Sequence, residues 1–77
     1  MEVENKLKEI FINKIGIPAA DLHMEVNLKT ELGMDSTEMV SVRTNMEKVF
    51  GINVPEMDFN QLMTLKDMVN YVQGKIE

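Results

Sequence analysis

The sequence of 77 residues contains no cysteine and no tryptophan, and only one histidine and one tyrosine. Without cysteine there is no disulfide, no thiolate zinc site, no iron–sulfur cluster and no cysteine nucleophile. The single His23 cannot build a metal cage or a catalytic dyad alone, and no second residue type pairs with a serine to make a nucleophile–base couple, so a stand-alone enzyme is disfavoured. A basic excess is also missing. The formal net charge is -5, whereas a generic nucleic-acid binder shows a basic face, so nucleic acid is not expected as a partner. No apolar run approaches the ~18–20 residues of a membrane span. The N-terminus Met1-Glu2-Val3-Glu4 lacks the basic region of a signal peptide, and a cytoplasmic location is expected.

What is present is an ordinary globular mixture, with 44% hydrophobic and 27% charged residues, so disorder is not expected. The length fits one domain over residues 1–77 with a thin core. Val3, Leu7, Ile10, Phe11 and Ile15 fall at helical spacing, with Lys6, Lys8, Glu9 and Lys14 on the other face. Gly16, Ile17 and Pro18 then form a stop signal: a left-handed residue, a hydrophobic contact and a helix breaker.

Residues 16–35 read differently. Leu22, Met24, Val26 and Leu28 alternate with His23, Glu25 and Asn27, which is a strand pattern. The one candidate partner is Ile52-Asn53-Val54, and a sheet that small is marginal. A long ordered loop that tucks its apolar residues onto helices is therefore expected, with His23 exposed and a single helical turn over Thr30-Glu31-Leu32-Gly33. Loops of this length are often functional.

A second helix is expected from Asp35 or Ser36. Asp35 is placed to cap it, and Glu38 three residues on completes a capping box. Met39, Val42, Met46 and Val49 make its stripe, Val40 and Phe50 lie beside it, and Gly51 stops it. A short helical stretch is expected within residues 55–62, with Met57, Phe59 and Leu62 inward. The last helix opens at Thr64, with Asp67 near its positive end. It buries Leu65, Met68, Val69, Val72 and Ile76, and it ends or frays at Gly74. Tyr71 is expected to pack against its neighbours. Met39, Met46, Met57, Met63 and Met68 sit at core-like spacing, where methionine acts as a flexible gap filler. The fold class is all-α: a four-helix bundle with three principal helices, one short helix and a long first loop.

The run Glu31-Leu32-Gly33-Met34-Asp35-Ser36-Thr37-Glu38-Met39-Val40 stands apart. An Asp-Ser pair before a helix is by itself most often a cap. Here the run Leu-Gly-Met-Asp-Ser opens the second helix of a short acidic chain, after a long first loop and before the Phe50-Gly51-Ile52 exit and Val54-Pro55. In these features the chain resembles the acyl carrier proteins over essentially its whole length.

The resemblance implies that a phosphopantetheinyl transferase attaches 4′-phosphopantetheine from coenzyme A to Ser36, and that Asp35 both caps the helix and contacts the transferase. It implies a carrier without catalysis of its own, serving ligase, ketosynthase and acyltransferase partners in fatty-acid or polyketide-type synthesis, as a monomer. A deformable, Met-rich core that opens to shelter an acyl chain is the functional reading of the methionines. An aminoacyl or peptidyl carrier, for nonribosomal peptide synthesis or D-alanine transfer, uses the same arm and stays open. So does an unmodified helical interaction module. Partners would dock along the second helix and the segment after it, which makes Glu38, Met39, Arg43, Glu47 and Glu56 the candidate partner surface.

The charge departs from the family's acidic second helix. Within residues 36–50, Glu38 and Glu47 balance Arg43 and Lys48, and the excess of carboxylates lies in residues 16–35 and 51–63. Ser41 stands where many members carry an acid, and Thr37 where leucine is usual. Complementarity of charge sets on-rate and partner choice, so these departures read either as drift on a solvated face or as the mark of a dedicated pathway with its own partners.

Overall fold

The computed structural model describes residues 2–76; Met1 and Glu77, with the sequence readings that touch them, lie outside the described residues. Helix α1 spans Glu2–Ile10 and runs on as a wider π-helical turn over Phe11–Ile15. Gly16 ends it at φ 91°, in the left-handed region that glycine tolerates. The expected stop is therefore present, but the closure is wide: the N–H groups of Gly16 and Ile17 both donate to the Phe11 carbonyl, at 2.9 and 3.0 Å. Ile10 and Phe11 are both buried across this junction. On the solvent face of α1, Lys6 pairs with Glu2 and Lys8 with Glu4, each one turn apart.

Helix α2 spans Ser36–Phe50, α3 spans Glu56–Phe59 and α4 spans Leu65–Ile76. Leu7, Phe11, Val42, Met46, Val54, Leu65, Met68 and Val72 are fully enclosed in one core, to which the long first loop adds Leu22, Val26, Leu28 and Met34. Among the described residues the architecture is all-α, with three longer helices and one short one.

The loop behaves as its alternation requires. It also has a backbone partner, which is the start of α4 and not Ile52-Asn53-Val54. Leu28 N–H donates to the Met63 carbonyl at 3.0 Å, and Lys66 N–H donates to the Met24 carbonyl at 2.9 Å. A single antiparallel bridge joins Asn27 to Thr64. The turn expected at Thr30 starts earlier, because the Asn27 side chain accepts from the N–H groups of Lys29 and Thr30, and the Asn27 carbonyl accepts from Glu31. A short 3₁₀ turn at Ala19–Asp21 precedes it.

Several apolar residues assigned to the core lie outside it. Met57 is 76% exposed. In a helix of only four residues Phe59 takes the inward position, and a residue two places earlier points about 200° away. Met63 is on the surface, in the extended approach to α4. Val49 and Ile76 are exposed because they lie in the last turns of their helices, beyond the last core members Met46 and Val72. Gly74 does not end α4, which continues to Ile76. Thr64 caps α4 reciprocally with Asp67: its hydroxyl accepts from Asp67 N–H at 3.1 Å, and the Asp67 carboxylate accepts from Thr64 N–H at 3.1 Å and Met63 N–H at 2.9 Å. The Met63 bond above all holds the Asp67 carboxyl below its ordinary range.

Tyr71 ties α4 to α3, its hydroxyl donating to Asp58 at 2.7 Å. Burial, then the Asp58 bond, pushes the phenol up from 10.0 to about 12. A raised folded value favours the neutral form. The stability it contributes is complete below pH 10.0 and is lost as pH rises through about 12. With one tyrosine and no tryptophan, phenolate absorbance reports this group alone. The alkaline titration should show its midpoint near 12, moving down in Asp58→Asn; a midpoint near 10.0 in the folded protein would refute the tether.

Candidate functional site

The site is the junction where the first loop becomes α2. Its conformation is set by two reciprocal hydrogen bonds. Glu38 N–H donates to Asp35 Oδ1 at 2.8 Å, and Asp35 N–H donates to Glu38 Oε1 at 3.1 Å. These satisfy donors that a helix start otherwise leaves unpaired. Asp35 is therefore the cap and Ser36 the first residue inside the helix. Gly33 precedes them at φ 62°, and a Cβ there would meet nothing within 4 Å. Its role is conformational, a left-handed turn into the junction, and not the close passage that a side-chain-free residue also allows.

Ser36 is exposed, and among the described residues its hydroxyl has no hydrogen-bond partner. Ser41, the other serine, is half-buried and its hydroxyl receives a bond from Asn45. Beside Ser36 opens a groove of about 490 Å³, running from the junction between α2 and α3. Met34, Met39, Val40 and Phe59 give it an apolar wall; Lys29, Arg43, Glu56 and Asn60 bring polar atoms to it.

The five residues expected on the partner surface separate. Glu38 is committed to the capping box. Met39 is only 9% exposed and is reached through the groove. Arg43 and Glu47 each bond to Val54: Arg43 Nη1 donates to its carbonyl at 3.1 Å and Glu47 Oε2 accepts from its N–H at 2.8 Å. Val54 precedes Pro55, the cap of α3, so this pair fixes where α3 begins. Glu56 is exposed at the rim of the groove. Lys29, Phe59 and Asn60 were not indicated by sequence, since what brings them to Ser36 is the placement of the loop and α3. His23 lies exposed, away from the groove. Among the described residues no group of three or more His, Asp or Glu side chains could hold a metal ion, and no helix is long and apolar enough to cross a membrane.

Ser36 is thus an exposed serine at a helix start, beside a groove, with a hydroxyl that has no hydrogen-bond partner among the described residues, an arrangement open to a carrier domain. Consistent with this, the family described as "Phosphopantetheine attachment site" matches residues 5–72. An acyl carrier protein of Amoebophilus asiaticus is 31% identical over 75 residues, covering 97% of this chain and 94% of that protein. One of Nitratidesulfovibrio vulgaris is 31% identical, covering 97% and 99%. One of Porphyromonas gingivalis is 26% identical over 76 residues, covering 99% and 97%. The chain belongs to the acyl carrier protein family, and it is a carrier, not an enzyme.

The group that domains of this family carry covalently is 4′-phosphopantetheine. The junction fits it. The first turn of α2 offers N–H groups and the positive helix end to a phosphate. Ser36 offers an unshared hydroxyl, and the adjoining groove gives whatever hangs from the arm an apolar wall.

Proposed function

We propose that Ser36 is the residue that carries the arm, and that this protein delivers acyl groups for fatty-acid or polyketide-type synthesis, as a cytoplasmic monomer in a pathway with its own dedicated partners. The observation that carries this reading is the exposed, unshared Ser36 hydroxyl at the start of α2, beside the groove. When bound, the arm supplies a thiol, which this cysteine-free chain lacks, to hold the acyl group as a thioester. Ser36 contributes a small primary alcohol that the transferase's base activates. The capping box holds that alcohol at a fixed point in the first helical turn, and Asp35 keeps one carboxylate oxygen for the transferase. Because Ser36 is exposed and lines the groove, it would hold an attached arm within reach of both partners and the groove.

The dedicated-partner reading rests on the neutral α2, with Thr37 and Ser41 where the family tends to leucine and an acid. Thr37 is exposed and Ser41 half-buried, and neither is a member of the core. The double variant Thr37→Leu/Ser41→Glu should be loaded several-fold faster than wild type by general fatty-acid-synthesis enzymes, with wild type slow against a standard carrier. Wild type loaded as fast as the standard carrier defeats the dedicated-pathway reading and leaves Ser36 attachment standing.

A further inference from the structure

Arg43 has a second role, at the groove itself. It lies seven residues after Ser36 on α2, hence on nearly the same face and about 10 Å further along the axis. Its side chain lines the groove, past Val40 and opposite Phe59 and Asn60 on the α3 side. The guanidinium has five N–H donors. One nitrogen, Nη1, donates to the Val54 carbonyl, which holds the head group against the linker before α3. Among the described residues no carboxylate lies within ion-pair distance of it. A part-buried cation with donors to spare thus lines the groove beside the apolar side chains of Met39, Val40 and Phe59.

A saturated chain laid along this wall strips water from those donors and returns nothing, which is unfavourable. A chain with an oxygen acceptor at that depth replaces the water with a charge-assisted hydrogen bond. The Asn60 amide offers a further donor along the same groove. Asp35 and Glu56 also line it and match Lys29 and Arg43 in number, so the lining carries no net positive charge to draw a cargo that is itself an anion. We infer that the groove selects acyl chains bearing an uncharged oxygen, such as a 3-oxo or 3-hydroxy group, over saturated chains of the same length, and that Arg43 is the residue that reads that oxygen. This rests on the arm being attached at Ser36.

The test uses the protein first converted to its arm-bearing form, with attachment verified by intact mass. It is then loaded through a non-hydrolysable amide with hexanoyl or 3-oxohexanoyl groups. Shifts of the Phe59 and Met39 resonances and of the Arg43 side-chain N–H report how much of each cargo occupies the groove. In wild type the ratio of groove-bound to exposed cargo should be roughly tenfold higher for the 3-oxo chain, a difference of about 1.4 kcal/mol. In Arg43→Leu the preference should vanish or invert. A loss of the Val54 bond alone moves both cargoes together and leaves their ratio unchanged. Arg43→Lys, which keeps the charge, should retain part of the preference and serves if the leucine variant does not fold. Equal or greater occupancy by hexanoyl in wild type, or an unaltered ratio in Arg43→Leu, overturns the inference. Failure of the arm to attach in the first step counts against the carrier site and is seen before any cargo is added.

Discussion

Phe11→Ala should leave most of the protein unfolded at physiological temperature, or bring it close to that point. Phe11 is fully enclosed and is among the largest side chains in the core. Truncating a buried phenylalanine costs about 3–5 kcal/mol, part from lost transfer and part from the cavity. A domain of this size has a total stability of roughly 4–12 kcal/mol, by the usual value per residue. The loss is thus of the same order as the whole. Phe11 also stands where α1 opens into the π turn, and its carbonyl takes both closing bonds of that helix. The cavity therefore forms beside a junction where the backbone is already widened. Urea unfolding followed by far-ultraviolet circular dichroism gives the comparison. A midpoint that moves by less than about 1 kcal/mol equivalent would mean the core does not depend on Phe11. Ile12→Ala, one residue on and 36% exposed, is the control that should change little.

The second large effect is functional. Ser36→Ala should abolish arm attachment altogether while leaving the fold as stable as wild type to within about 0.5 kcal/mol. Both halves follow from the same observation. The Ser36 hydroxyl is exposed and has no hydrogen-bond partner among the described residues, so its removal strands no buried group. Asp35, not Ser36, caps the helix, and alanine is the best helix former for the first turn. Asp35→Ala behaves in the opposite sense. It removes the carboxylate that accepts from Glu38 N–H while leaving the backbone N–H that donates to Glu38, costs about 1 kcal/mol of stability and slows attachment without abolishing it. Circular dichroism and intact mass on the same samples separate the two variants. A destabilised Ser36→Ala would mean that the serine is part of the cap.

The sequence exposed the helices because their apolar residues recur at the helical period, and it exposed the junction because Asp-x-x-Glu and a left-handed glycine are local signals. Gly16 and Gly51 both stop helices at positive φ, as their positions indicated. Other features needed three-dimensional placement. The alternation of Leu22, Met24, Val26 and Leu28 was visible, but its backbone partner, some forty residues on at the start of α4, was not, since a lone bridge leaves no pattern in the partner strand. Met57 has the composition of a core residue and became a surface residue because α3 is only four residues long. Arg43 and Glu47 read as docking charges because an exposed helix face and a pair reaching across to Val54 carry the same residue types. The groove beside Ser36 depends on how α3 is pinned from both sides, by Val54 and by the Tyr71–Asp58 bond, and such pins lie in tertiary contacts, not in spacing.

Attachment of the arm at the Ser36 hydroxyl is tested most directly by the intact mass of the wild-type protein after treatment with coenzyme A and a phosphopantetheinyl transferase, followed by fragmentation to locate the added group. A gain of one phosphopantetheine, placed on Ser36, is the expected result. No gain with several transferases, or a gain placed on Ser41, would contradict it.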